Sequence, residues 1–85
     1  MKTVVVTGAS SGIGLACALE LAARGWRVFG ASRTPPVGAV PFTFVVMDVT
    51  SQASVEQAFA AVVADAGSLD AVVQSAGFGY AGAVE

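Results

Sequence analysis

Four short apolar segments alternate along the chain with two longer segments of strong helix formers. The apolar segments are rich in β-branched and aromatic residues and contain few polar interruptions, which is typical of strands that are covered on both faces of a parallel sheet. They predict strands at Thr3 to Val6, Trp26 to Ser32, Phe42 to Met47 and Leu69 to Gln74. The first and the third of these strands are expected to be buried.

Two segments between the predicted strands have the pattern of helices. The segment from Ile13 to Arg24 consists mostly of strong helix formers. Its inward-facing positions, at i, i+3, i+4, i+7 spacing, are Gly14, Cys17, Ala18 and Leu21. A capping box at residues 54–57 predicts that a second helix begins at Ser54, runs to about Ala64 and ends near Gly67.

The order of these elements predicts an α/β domain in which helices pack on a parallel sheet. One connection is unusually short, because only about nine residues, Arg33 to Pro41, join the second and third strands. A parallel crossover usually needs a dozen or more residues. Nine extended residues reach roughly 30 Å, so a stretched, proline-rich loop is expected to close this crossover.

The composition excludes several classes of partner and location. Hydrophobic residues make up 55% of the chain and charged residues 12%, against about 25% charged in a typical soluble domain. No apolar run reaches the length of a membrane span, and residues 7–12 interrupt any secretory signal at once. A cytoplasmic location and no membrane partner are therefore expected. The formal charge of -2, without a lysine or arginine cluster, argues against a nucleic-acid partner.

The chain lacks the side chains of several common catalytic sites. It contains no histidine and a single cysteine, Cys17. Histidine-dependent nucleophiles, cysteine-rich zinc sites and internal disulfides are therefore excluded, and no metal site is predicted. Cys17 itself is interpreted as a small core residue.

A glycine-rich segment joins the first strand to the first helix. Free N–H groups at a helix start favour an anionic ligand, and glycines allow the backbone to approach a phosphate closely. A glycine-rich turn without a ligand is the alternative. The spacing is neither that of a P-loop nor the common G-x-G-x-x-G fingerprint. The segment predicts a pyrophosphate site formed by Gly8, Ala9, Ser10, Ser11, Gly12, Ile13 and Gly14.

The motif Thr7-Gly8-xxx-Gly12-Ile13-Gly14 resembles the cofactor motif of the short-chain dehydrogenases/reductases. Later landmarks are similar to those of the family and come in the same order: Arg33, Asp48-Val49 and Ala76-Gly77. The resemblance covers the whole chain. It implies a Rossmann-like parallel sheet of order 3-2-1-4 with flanking helices, truncated before the remaining strands. Residues 1–85 would then be a partial dinucleotide-binding domain.

The resemblance also implies roles for residues after the second and third strands. Ser32 and Arg33 would lie beside the adenosine ribose, where a base accommodates the 2′-phosphate of NADP and an acid selects NAD. No acid lies between Gly25 and Pro41, so we expect NADP rather than NAD. Asp48 would accept a hydrogen bond from the adenine amino group, and Val49 would pack on the ring. The alternatives are a solvated arginine and an aspartate that caps the following turn.

The segment after the fourth strand departs from the family pattern. The family usually has Asn-Asn-Ala-Gly, whereas this chain has Gln-Ser-Ala-Gly at residues 74–77. The Ser75 hydroxyl can still donate and accept hydrogen bonds. The resemblance therefore implies further cofactor contacts at Ser75, Ala76 and Gly77.

The catalytic residues of the family are not present in these 85 residues. The family uses a serine, a tyrosine and a lysine four positions after the tyrosine, whereas Tyr80, the only tyrosine, is followed by Val84 at that spacing. The predicted function is the cofactor-binding N-terminal part of an NADP-dependent oxidoreductase. The complete protein would transfer hydride between the cofactor and a small alcohol or ketone.

Two alternatives stay open at this point. The first is a non-catalytic nucleotide-binding or interaction module that is complete at residue 85. The second is a family member that uses the cofactor for epimerisation or dehydration. The bare, apolar edge of the fourth predicted strand invites pairing with another chain, so a homo-oligomer is also predicted.

Overall fold

The structure, a computed structural model, describes residues 1–10, 12–36 and 38–74. Within these ranges the chain forms β1 (Thr3–Thr7), α1 (Gly12–Ala23), β2 (Arg27–Ser32), β3 (Thr43–Val46), α2 (Gln52–Ala66) and β4 (Ala71–Gln74). The strands form one sheet of order β3-β2-β1-β4, and every neighbouring pair is parallel. The predicted fold class and strand order are confirmed, and strand bounds differ from the predicted ones by one or two residues.

The central strand β1 is buried along its whole length. Its three consecutive valines suit a strand that is covered on both faces, because branched side chains pack well on a pleated surface. Val5 pairs with Phe29 of β2 on one side and with Val72 of β4 on the other. β1 therefore ties the two halves of the sheet together.

The two helices cover opposite faces of the sheet, as right-handed crossovers in opposite directions require. The α1 face is built around a buried cluster of Val4, Val6, Ala9, Ala18 and Val28. The α2 face is built around a cluster of Val5, Phe29, Ala31, Met47, Ala58 and Val62. Burial of each large apolar side chain in these clusters contributes about 1.5–3 kcal/mol.

The predicted inward stripe of α1 is confirmed. Gly14 and Ala18 are buried, and Cys17 and Leu21 are half-buried against the α1 face. Cys17 is thus a core residue, as interpreted from the sequence. No helix in the described ranges is both long and apolar enough to cross a lipid bilayer.

The predicted start of α2 at Ser54 is wrong, because Ser51 is the N-cap. Ser51 has an extended backbone, and its side-chain oxygen accepts a hydrogen bond from the N–H of Ser54 at 3.2 Å. The hydroxyl of Ser54 instead accepts a hydrogen bond from the N–H of Asp48 at 2.9 Å. Either serine could act as an N-cap, but the hydroxyl of Ser54 is already bonded to the N–H of Asp48. The helix ends before Gly67, as predicted.

The prediction that the third strand is buried is wrong for β3, and β4 is also partly exposed. Thr43 and Val46 of β3 are exposed, as is Val72 of β4. β3 lies at the edge of the sheet, and the described part of the β2–β3 crossover, residues 33–36 and 38–42, contains neither helix nor strand. The α1 face of β3 therefore lacks a covering helix.

Candidate functional site

The carboxyl ends of the parallel strands meet at one end of the sheet, which we call the carboxyl end. From β1 the chain crosses towards β2 and β3, and from β3 it crosses back to β4 on the other side of β1. In open α/β sheets, ligands bind outside the carboxyl ends of the strands at such a reversal. Three segments lie where the strands stop at this end: residues 8–10, 32–34 and 47–50.

The glycine-rich turn, residues 8–10, leads from β1 to the start of α1 at Gly12. No acidic residue lies in the first turn of α1, so no carboxylate there offsets the partial positive charge of the helix start. Gly12 has a φ of 59°, and a Cβ added to it would meet no described atom within 4 Å. Among the described residues outside its own turn, nothing fills the space that a side chain of Gly12 would occupy.

Hydrogen bonds fix the glycine-rich turn against neighbouring strands. The N–H of Ala9, which is buried, donates to the carbonyl oxygen of Ala31 at 3.2 Å. The hydroxyl oxygens of Ser10 and Ser32 lie 2.9 Å apart and share a hydrogen bond. These contacts bring the glycine-rich turn and the end of β2 together.

The end of β2 presents a cation beside this pair of hydroxyl groups. Arg33 follows Ser32 directly and is exposed. The ion pairs within the described ranges involve Arg24 and Arg27, not Arg33. A guanidinium group with five donors, on the residue that follows Ser32, is suited to a phosphate.

The end of β3 presents an ionised carboxylate. Oδ1 of Asp48 accepts hydrogen bonds from the hydroxyl of Thr50 at 2.6 Å and from the N–H of Thr50 at 3.0 Å. These two hydrogen bonds hold the pKa of Asp48 below its ordinary value, and the positive charge of Arg33 adds a smaller contribution. Asp48 therefore caps the following turn, as the alternative interpretation proposed, and it also lies within electrostatic reach of Arg33.

The structure places every described residue of the predicted site at the carboxyl end or in the first turn of α1. Two of them are exposed apolar side chains, Ile13 at 75% and Val49 at 46%. Four predicted residues lie outside the described ranges: Ser11, Ser75, Ala76 and Gly77. No cluster of three metal-binding side chains occurs among the residues that the structure describes.

Sequence reasoning missed the packing beneath the glycine-rich turn. A Cβ added to Gly30 would collide with the ring of Phe42 and would lie 3.0 Å from the Cβ of Ala9. The signal was present, because an isolated glycine inside a strand often marks the close approach of another group. The capping of the turn by Asp48 was expected as an alternative, but Thr50 was not identified as its partner.

The family of the chain follows from a sequence comparison. Residues 2–85 match the family model described as short chain dehydrogenase. The chain belongs to this family. It is also 38% identical, over 84 residues, to a 3-ketodihydrosphingosine reductase of Bacteroides thetaiotaomicron, a match that covers 99% of this chain and 31% of that protein.

Solved structures of short-chain dehydrogenases resemble the chain closely. The ligand-free aldohexose dehydrogenase of Thermoplasma acidophilum is 32% identical, with a TM-score of 0.86 over 98% of this chain and 32% of that one. A variant of actinorhodin polyketide ketoreductase with NADPH is 34% identical, with a TM-score of 0.79 over 96% of this chain and 35% of that one. The fold is therefore Rossmann-like, and the chain spans about a third of the length of the proteins that it matches.

Proposed function

We propose that residues 1–85 are part of a dinucleotide-binding domain of an NADP-dependent short-chain oxidoreductase. The observation that carries this proposal is the arrangement at the carboxyl end, where an open helix start adjoins a hydroxyl pair and an exposed arginine. The family binds NAD or NADP, and one solved relative contains NADPH. The carboxyl end thus supplies separate groups for a pyrophosphate and for a further phosphate.

The helix start is the proposed site of the pyrophosphate. The N–H groups of the first turn of α1 have no acceptor within the helix, and the open space beside Gly12 fits an approaching phosphate oxygen. Residues 8–14 would form this part of the site. The hydrogen bonds of Ala9 and Ser10 to β2 hold the glycine-rich turn in place before a ligand arrives, which lowers the entropy cost of binding.

Arg33 and Ser32 are the proposed recognition groups for the 2′-phosphate of NADP. Arg33 offers a bidentate, charge-assisted contact to a phosphate, and Ser32 already holds the hydroxyl of Ser10 beside it. A carboxylate at this position would select the 2′-hydroxyl of NAD instead. The chain has none between Gly25 and Pro41, so NADP is proposed over NAD.

The end of β3 is the proposed site of the adenine ring. The ionised carboxylate of Asp48 can accept a hydrogen bond from the adenine amino group in addition to those from Thr50. The exposed side chain of Val49 offers an apolar surface for the ring. Ser75, Ala76 and Gly77 are proposed, from the family pattern alone, to contact the cofactor further along.

The bound dinucleotide would supply hydride chemistry to the whole protein. The matched proteins carry names of reductases and dehydrogenases that act on keto compounds and on an aldohexose. We therefore propose that the whole protein reduces a ketone or oxidises an alcohol. Its catalytic serine, tyrosine and lysine would come from outside these residues. We also propose that it is a homo-oligomer in the cytoplasm. No observation favours a binding module that is complete at residue 85.

The substitution Arg33→Asp tests the cofactor preference. We expect wild-type intact protein to bind NADPH more tightly than NADH in a fluorescence titration. In the variant, the affinity for NADPH falls by about a hundredfold, because two charge-assisted hydrogen bonds are lost and repulsion is added. The affinity for NADH is retained or rises, because the new carboxylate can accept a hydrogen bond from the 2′-hydroxyl of NADH.

The matched control is Arg24→Asp, which changes the net charge equally. Arg24 lies just after α1 and pairs with Glu20 at 2.7 Å. This variant retains the preference for NADPH. An unchanged preference in Arg33→Asp would contradict the role given to Arg33.

A further inference from the structure

The crossover between β2 and β3 begins at the proposed phosphate site and ends in the core. Arg33 starts the crossover, and Phe42 is its last residue before β3. Most of the described residues between them are exposed. Phe42 instead packs against the buried cluster of the α1 face, so it is an apolar anchor of the loop that carries Arg33.

The ring of Phe42 lies where a side chain of Gly30 would be. A Cβ on Gly30 would be 2.7 Å from Cδ1 of Phe42, a distance that real Cβ atoms do not show. The same point is 3.0 Å from the Cβ of Ala9. Three elements therefore meet here without spare room: the crossover loop, β2 and the glycine-rich turn.

This packing lies close to the residues that are proposed to bind the 2′-phosphate. Ala9 precedes Ser10, and Gly30 lies two residues before Ser32. The hydroxyl groups of Ser10 and Ser32 are 2.9 Å apart, so a shift of the glycine-rich turn against β2 changes their separation. Because protein interiors are close-packed, a void left by Phe42 would allow such a shift.

We propose that Phe42 is a positioning residue for cofactor selection. It acts through Gly30 and Ala9 to fix the glycine-rich turn against the end of β2, where the 2′-phosphate is recognised. The inference rests on the proposed function, because it concerns the preference of that same site. It predicts that Phe42 affects binding of NADPH more than binding of NADH.

The test compares Phe42→Leu with Phe59→Leu in the intact protein. Phe59 of α2 is half-buried as Phe42 is, but it packs against the opposite face of the sheet. Both variants lose the same atoms and are expected to lower the melting temperature. We expect the ratio of the NADPH to NADH affinities to fall about tenfold in Phe42→Leu, the effect of one lost charge-assisted hydrogen bond. Phe59→Leu retains the wild-type ratio.

Four results would overturn the inference. If Phe42→Leu retains the wild-type ratio, or if both variants lose it, Phe42 has only a structural role. If Phe42→Leu does not fold, Phe42→Met replaces it, because an unbranched methionine adapts more readily to an irregular space. An unchanged ratio in that variant is equally decisive. Wild-type protein that binds neither dinucleotide would refute the proposed function itself, and the inference with it.

Discussion

The two ends of the sheet use polar residues in opposite ways. At the amino end, Asp70 accepts a hydrogen bond from the N–H of Thr3 at 2.8 Å and donates its own N–H to the carbonyl oxygen of Thr3 at 2.9 Å. Arg27 pairs with Asp65 of α2 at 3.2 Å, and the ammonium of Lys2 lies 5.8 Å from the ring centre of Trp26. These contacts join elements that are distant in sequence.

At the carboxyl end, the charged side chains that we assign to ligand recognition form no hydrogen bond to another strand or helix among the described residues. Arg33 is exposed and forms none of the ion pairs in the described ranges. Asp48 bonds to Thr50 in its own turn, and the space beside Gly12 is open. Polar contacts at the amino end therefore stabilise the fold, whereas the carboxyl end retains charge and space for a ligand.

The largest effect should distinguish the two ends of the sheet through two glycines that both have a positive φ. Gly12 at the carboxyl end and Gly25 at the amino end both have a positive φ, and a Cβ would meet nothing described within 4 Å at either. An alanine at either position adds strain of about 1–2 kcal/mol. We expect Gly12→Ala also to weaken NADPH binding by about a hundredfold, because the helix start is displaced from the phosphates.

The control Gly25→Ala lowers the free energy of unfolding by a similar amount but retains the affinity for NADPH. Chemical denaturation and fluorescence titration on both variants provide the two measurements. Equal losses of affinity in the two variants would mean that the helix start has no special role.

A medium effect is expected at the amino end from Asp70→Ala. Thr3 is buried, so its N–H would be left without this acceptor, which costs about 1–3 kcal/mol of unfolding free energy. The comparison is Asp65→Ala, which removes an exposed ion pair worth less than about 1 kcal/mol. Denaturant unfolding measures both variants, and neither should change NADPH affinity. A larger loss in Asp65→Ala would contradict this ranking.

The smallest effect concerns the pKa of Asp48. Because this pKa is lowered in the folded state, its contribution to stability is present above the ordinary value of about 3.9 and is lost as the pH falls through the folded pKa. Thr50→Val removes the hydroxyl bond, so the pKa should rise towards its ordinary value and this contribution should be reduced. A carboxylate NMR titration measures this shift.

Thr34→Val is the control for this titration, because the hydroxyl of Thr34 is not a hydrogen-bond partner of Asp48. The pKa of Asp48 should be the same in this variant and in the wild type. An unchanged pKa in Thr50→Val would mean that the hydroxyl of Thr50 does not lower the pKa of Asp48.

The strands and the helix faces were predictable because their signals are local, whereas the sheet order came from the family resemblance. The valines of β1 and the spacing of Gly14 and Ala18 in α1 depend on neighbours within a few residues. The start of α2 was not predictable, because the choice between Ser51 and Ser54 depends on a contact of Ser54 with Asp48. Exposure of β3 was missed because an apolar edge strand has the same sequence pattern as a buried one.

The candidate site likewise contains residues that could be predicted from the sequence and contacts that could not. Arg33 and Asp48 could be located because they directly follow strands, where parallel sheets place ligand groups. The bond between Ser10 and Ser32 depends on how the glycine-rich turn meets β2, and the contact of Phe42 with Gly30 depends on the path of the crossover loop. Such contacts join residues that have no periodic relation in sequence.

The central claim is that the carboxyl end of the sheet binds NADP. A crystal structure of the intact protein with NADPH tests it most directly. The account predicts the pyrophosphate against the N–H groups of the first turn of α1 and the 2′-phosphate within hydrogen-bond distance of Arg33. A dinucleotide bound away from the carboxyl end, or a 2′-phosphate that Arg33 does not contact, would contradict the account.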